Sequence, residues 1–212
     1  MCTESSGGGA YRGERPRNEA WNDRRSDERH LSLLRVGSMI IGDRRELCLI
    51  KNISSGGMMI KAYCPIETGT RISIELKHGE PVSGTALWAE GDTIGVRFDD
   101  PVDVLALLTW SSDGPRPRMP RVEVSCVAWV REGAVVHRTS AVNISQGGIK
   151  IEAAQPLTIG ADVTVSLTGL EPSAGIVRWS ENGCYGITFN RVLPLSGLVA
   201  WLRDQRERPR AA

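Results

Sequence analysis

Aromatic side chains are scarce, at 5% of the 212 residues. That scarcity weighs against a barrel built to stack RNA or single-stranded DNA bases on its strands. A surplus of positive charge is missing as well. The chain has 26 Lys and Arg against 25 Asp and Glu, a formal net charge of +1, whereas a general nucleic-acid binder carries a clear basic excess. The apolar runs are strand-length, far short of the roughly 20 residues that cross a bilayer. The opening Met1-Cys2-Thr3-Glu4-Ser5-Ser6 runs into glycines with no apolar segment of the secretory kind. A cytoplasmic protein with no membrane insertion is expected. The five cysteines, Cys2, Cys48, Cys64, Cys126 and Cys184, are odd in number and show no Cys-x-x-Cys spacing. They are expected to be reduced thiols without disulfide or metal roles.

Catalytic constellations are lacking too. The three histidines, His30, His78 and His137, lie far apart, and none falls at a ligand spacing. The serines of the turns described below lack the strand-to-helix setting of an acyl-transfer elbow. No catalytic residue, metal site or cofactor is expected, and the chain does not read as an enzyme.

What is present is a repeat. Asn52-Ile53-Ser54-Ser55-Gly56-Gly57 returns as Asn143-Ile144-Ser145-Gln146-Gly147-Gly148, and 143 minus 52 is 91. The same offset carries Ile60 to Ile151, Pro65 to Pro156, Trp88 to Trp179, Gly95 to Gly186, Phe98 to Phe189 and Trp110 to Trp201. A register held without insertion over such a span marks a duplicated domain. The length suits two domains of about 80–100 residues each, with 41% hydrophobic and 24% charged residues, as in ordinary globular chains.

Residues 1–22, rich in Gly, Ser, Glu and Arg, read as a mobile tail. The first domain is expected over 23–111. Leu31 to Ile41 makes a strand, Gly42-Asp43 a turn, and Leu47 to Ile53 a second strand. A third strand starts at Met58, a fourth alternates through Ile72, Ile74 and Leu76, a fifth runs from Val82 to Trp88, and a sixth holds Ile94, Val96 and Phe98. Short strands at this spacing predict a small closed antiparallel barrel. Pro101 to Trp110, with Asp103 near its start, predicts a short helix capping it. After a linker at 112–115, the second domain (116–206) repeats the plan, closing with a helix from about Leu195 to Arg203; 207–212 is a charged tail. Trp88 and Trp179 are read as core residues closing each barrel. The fold class is therefore all-β, two tandem six-stranded antiparallel barrels, each followed by a short C-terminal helix.

The Asn-x-Ser-x-x-Gly turn offers a side-chain amide, a hydroxyl and glycine-freed backbone at one rim of a barrel. Any tight turn uses the same residues, so the turn is informative only with its context. Ahead of the first barrel, Arg24 and Arg25 precede Arg29, with Arg25 and Arg29 four residues apart. Guanidinium forks suit phosphates and the O6/N7 edge of guanine.

Arg-x-x-x-Arg followed, after a strand pair, by Asn-x-Ser-x-x-Gly resembles the PilZ domain, a family of small bacterial β-barrels that bind cyclic di-GMP. Arg25 and Arg29 match the arginine motif, and Asn52, Ser54 and Gly57 the turn motif, with 52 minus 29 giving 23. The resemblance implies that cyclic di-GMP is clamped between the arm and the turn, with Arg24 as an auxiliary. Ordering of the arm would then relay the signal to the other domain or to a protein effector. The second copy departs from the pattern: Arg116, Arg118 and Arg121 are interleaved with Pro117 and Pro120, and the four-residue spacing is lost. Its turn motif, Asn143, Ser145 and Gly148, is intact. The second domain is thus expected to be a weaker site or a partner for packing, homodimerisation or output. The competing reading is a nucleotide-free adaptor acting through protein contacts; DNA or RNA binding and catalysis rank behind both.

Overall fold

The computed structural model describes residues 31–75, 81–108 and 119–207. It contains two closed barrels. In the first, β1 (Leu31–Ile41), β2 (Arg44–Ser54), β3 (Gly57–Ala62), β4 (Arg71–Glu75), β5 (Val82–Glu90) and β6 (Thr93–Phe98) close in the order β1-β2-β3-β6-β5-β4. After α1 (Val104–Leu108), the second barrel is built from β7 (Val122–Glu132), β8 (Val135–Ser145), β9 (Gly148–Glu152), β10 (Asp162–Leu167), β11 (Leu170–Glu181) and β12 (Cys184–Phe189). It closes in the matching order, and α2 (Leu195–Glu207) follows. All strand pairings are antiparallel. Among the described residues no helix is long and apolar enough to cross a membrane.

Local chemistry explains the hairpins. Gly42 and Gly133 take positive φ, 61° and 57°, in the two-residue turns that join β1 to β2 and β7 to β8, the conformation such turns require. Inside the first barrel Ile50, Ile53, Ile60, Ile72, Ile74 and Ile94 are buried, and inside the second Ile144, Ile149, Ile151 and Ile187. Among the described residues the expected short helix comprises the five residues of α1; the Ala106 N–H donates to Asp103 Oδ1 at 3.0 Å, so Asp103 is its N-cap. The final helix runs a turn beyond the expected Arg203, to Glu207. Its added turn has a tertiary partner: Arg206 pairs with Glu46 of β2, which is buried.

That pairing belongs to a contact between the barrels. Leu47 of β2 is buried in the second barrel's core cluster together with Val199 and Leu202 of α2, and Val36 and Tyr63 pack against the same cluster. Arg203 Nη2 donates to the Tyr63 carbonyl at 3.0 Å. The helix that closes the second copy therefore also fastens the first.

The copies have exchanged volume across one core contact. A Cβ on Gly37 would lie 2.9 Å from Ile50 Cδ1; at the equivalent positions the second barrel has Ala128 and Ala141, both buried. Small faces large in one barrel, and two small residues meet in the other. The substitutions G37A and I50V are expected to couple. The double variant should be more stable than the sum of the singles by roughly 1 kcal/mol, because valine lacks the atom that the new methyl would strike. Urea unfolding of the four proteins measures the coupling, and additive energies would exclude it.

Cys48 is fully buried, and burial pushes its thiol from 9.0 up to about 12. The raised value means the native state keeps a proton that the unfolded chain releases above pH 9, so stability is intact below pH 9 and is lost as pH rises toward 12. Stability against pH should fall more steeply in the wild type than in Cys48→Ala, by up to about 1.4 kcal/mol per pH unit. Parallel slopes would show that the thiol titrates alike in both states.

Candidate ligand groove

Asn52, Ser54 and Gly57 converge on one rim of the first barrel, and each is placed by a different force. In the pairing of β2 with β3 the register shifts between Ile50 and Asn52, so Asn52 sits at a bulge with Ile50 and Ile53 buried on either side. The Met59 N–H donates to Asn52 Oδ1 at 3.1 Å, which leaves the amide NH2 as a donor. Ser54 Oγ donates to the Gly57 carbonyl at 3.2 Å and closes the turn, keeping lone pairs as acceptors. Gly57 is sterically compelled, since a Cβ there would lie 2.5 Å from the Val96 carbonyl oxygen on β6. The second barrel repeats this: Ser145 Oγ donates to the Gly148 carbonyl at 3.2 Å, and a Cβ on Gly148 would lie 2.4 Å from the Ile187 oxygen. All three motif residues thus have structural roles, and Asn52, with its amide NH2 left as a donor, is the one most open to a ligand.

The tryptophans overturn an expectation. Trp88 and Trp179 are not core residues; they are 43% and 38% exposed. The pairing of β5 with β6 shifts between Ala86 and Trp88, and that of β11 with β12 between Val177 and Trp179. One extra residue reverses the facing of every side chain beyond it on the strand. Ala86 points inward opposite the buried Val96, while Trp88 lies outside opposite Gly95. A Cβ on Gly95 would fall 2.0 Å from Trp88 Nε1, and one on Gly186 would fall 1.9 Å from Trp179 Nε1. Each indole is laid on a glycine floor, and that pairing of Trp with Gly at the same offset was the one sequence signal available.

Together these residues line a groove of about 530 Å³ on the first barrel, with Asn52, Ser54 and Gly57 along one side and Trp88 and the exposed Arg97 along the other. An outward indole face can stack on a base, worth about 1–3 kcal/mol, and a guanidinium suits a phosphate or a guanine edge. The equivalent groove of the second barrel measures about 310 Å³ and is lined by Met119, Arg121, Ser145, Arg178 and Trp179. Arg121 Nη1 donates to Asn143 Oδ1 at 2.6 Å, and Met119 Sδ lies over the turn, 3.0 Å from where a Cβ on Gly147 would stand. Met119 and Arg121, which precede β7, thereby form part of the lining of this groove. Arg24, Arg25, Arg29, Arg116 and Arg118 lie outside the described residues, as does Trp110. Among the described residues no group of three or more His, Cys, Asp or Glu could hold a metal ion.

Comparison with known proteins agrees with the duplicated architecture. The family description "PilZ domain" matches twice, over residues 23–109 and 115–205. A search of curated proteins finds no match. Among solved structures, the chain is similar to the Borreliella burgdorferi PlzA protein in complex with c-di-GMP, at 16% identity, covering 85% of this chain and 94% of that one, TM-score 0.36. It is similar to the Bacillus subtilis inhibitor of motility MotI/DgrA at 12% identity, covering 85% and 100%, TM-score 0.33. It is also similar to Escherichia coli YcgR in complex with c-di-GMP at 14% identity, covering 82% and 86%, TM-score 0.30. With one family description matching both halves, and each half a closed six-stranded barrel rimmed by Asn-x-Ser-x-x-Gly, the chain belongs to the PilZ domain family and carries the domain twice.

Proposed function

We propose that the protein is a cytoplasmic receptor for cyclic di-GMP, not an enzyme, and that its first barrel holds the ligand. The observation that carries this reading is the first groove, where Asn52 and Ser54 face an exposed indole and an arginine. A guanine would lie on Trp88, with the Asn52 amide and Ser54 hydroxyl at its polar edge. Phosphates would meet Arg97 together with Arg24, Arg25 and Arg29 of the preceding arm. Closing that arm over the ligand would change how the second barrel or a protein effector meets the first, a switch driven by ordering a segment. Gly57 serves by letting β3 and β6 approach, not by touching the ligand.

The second barrel favours a different role. There Arg121 engages the Asn143 amide oxygen, and Met119 lies over the turn in a smaller groove. This specific observation supports reading the second barrel as a nucleotide-free adaptor, with Arg116 and Arg118 not required for binding.

Isothermal titration with cyclic di-GMP tests both statements. Arg25→Ala/Arg29→Ala should abolish binding, whereas Arg116→Ala/Arg121→Ala should leave the affinity within about threefold of wild type. Loss in both variants would mean a site shared between barrels, and no heat with the wild type would leave an adaptor in both halves. Trp88→Ala should weaken binding by about 1–3 kcal/mol, the worth of one stacked base. A methyl placed under the indole gives an independent test: Gly95→Ala should shift Trp fluorescence and weaken binding, with the barrel's far-ultraviolet dichroism unchanged. Full affinity in Gly95→Ala would remove Trp88 from the site.

A further inference from the structure

The offset of 91 that aligns the barrels also marks an exchange of charge around the two outward indoles. Beside Trp88 the first groove carries Met59, Leu87 and Arg97; adding 91 turns these into Lys150, Arg178 and Thr188. Register is kept, since Lys150 stands opposite Gly186 as Met59 stands opposite Gly95. Lys150 lies between the buried Ile149 and Ile151 and so faces outward, and Arg178 is exposed. Neither has an ion-pair partner among the described residues. Arg121 completes the set, fixed through Nη1 on Asn143 Oδ1. Three cations therefore stand about Trp179, where the described lining of the first groove holds Arg97 alone. Among the described residues no carboxylate lines the second groove. Glu152 and Glu181 both stand opposite Cys184, at the end of β12 away from Thr188. Glu123 stands opposite Asn143 but lies 3.9 Å from Arg45 of the first barrel.

We infer that this groove docks an acidic linear segment of a partner protein, with an Asp or Glu carboxylate on Arg121 and Arg178 and an apolar neighbour on the Trp179 indole. The inference rests on reading the second barrel as a nucleotide-free adaptor and names the chemistry of what it adapts to. A guanidinium fork meets a carboxylate through two parallel N–H···O bonds. Arg121 is already held by Asn143, and a side chain positioned beforehand gives up little freedom on binding. Size and composition favour a protein segment over a free metabolite. At about 310 Å³ the groove lies at the lower limit of small-molecule pockets, which run from roughly 300 to 1,000 Å³. Trp, Arg and Met, which line it as Trp179, Arg121, Arg178 and Met119, are the residue types enriched where proteins meet. The flexible thioether of Met119 can follow the shape of an inserted side chain.

Panning a random heptapeptide phage library on the full chain, with Lys150→Glu/Arg178→Glu alongside, tests it. The wild type should enrich peptides with Asp or Glu beside an aromatic or aliphatic residue, and the variant should not. A synthetic copy of the most enriched peptide should lose about tenfold or more in affinity with Arg178→Glu, and likewise with Trp179→Ala. Circular dichroism should be unchanged, since both side chains already point outward. No enrichment of acidic sequences, equal enrichment on the variant, or a peptide indifferent to both single substitutions would each overturn the proposal. Cyclic di-GMP titrated into Arg178→Glu separates this inference from the reading beneath it. Wild-type affinity there upholds a second barrel free of nucleotide, whichever peptides are selected. Lost affinity would remove the adaptor reading and the docking proposal with it.

Discussion

An indole resting on a glycine is the contact around which the candidate site is arranged. Trp88 can lie flat on the outside of the first barrel only because Gly95 leaves nothing beneath it, and Trp179 has the same relation to Gly186. The bulge after Ala86 is what brings the ring there. Without it the alternation of β5 would send Trp88 into a core already filled by Ile50, Ile60 and Phe98. One extra residue in one strand therefore leaves the core intact and gives the groove a large flat apolar surface. Gly57 and Gly84 let backbones approach closely nearby, with Cβ positions 2.5 and 2.3 Å from carbonyl oxygens of β6. The rim is shaped by missing side chains as much as by those present.

Duplication makes the two barrels internal controls for each other. Where they agree, in the turns, the Trp-Gly floors and the isoleucine core, the shared physics is that of the barrel itself. Where they differ, the difference has a direction. The first barrel carries a polar patch on its outer hairpin, where Arg45 pairs with Glu75 and lies 3.9 Å from Glu123 of the second barrel. The second lines its groove with Met119 and Arg121 and carries Trp129, Val127 and Val136 outward.

The barrels are not independent beads. Leu47 is buried among residues of the second barrel and α2, and the buried Glu46 beside it pairs with Arg206. A buried carboxylate left without its partner is costly, so the contact resists partial opening. The two features share one strand, since β2 carries Asn52 at the rim and Leu47 at the contact.

The order of residues alone carries the repeat, the β class, nearly every strand and the alternation of Ile72 and Ile74. These depend on local turn residues and on a period of two, both written within a few positions of one another. The motif residues Asn52, Ser54 and Gly57 were legible for the same reason. Three things were not. The outward facing of Trp88 depends on a register shift between β5 and β6; the compulsion for Gly57 comes from the Val96 carbonyl on another strand; and the seat of Leu47 lies in the second barrel's core, against α2. Each is settled by where a distant backbone or side chain stands after the barrels close, which no local pattern encodes. Sequence alone determined which strands exist and which residues could form a site. The closed tertiary structure decided which of those side chains face the groove, because facing is set by pairing register and by contacts made across the fold.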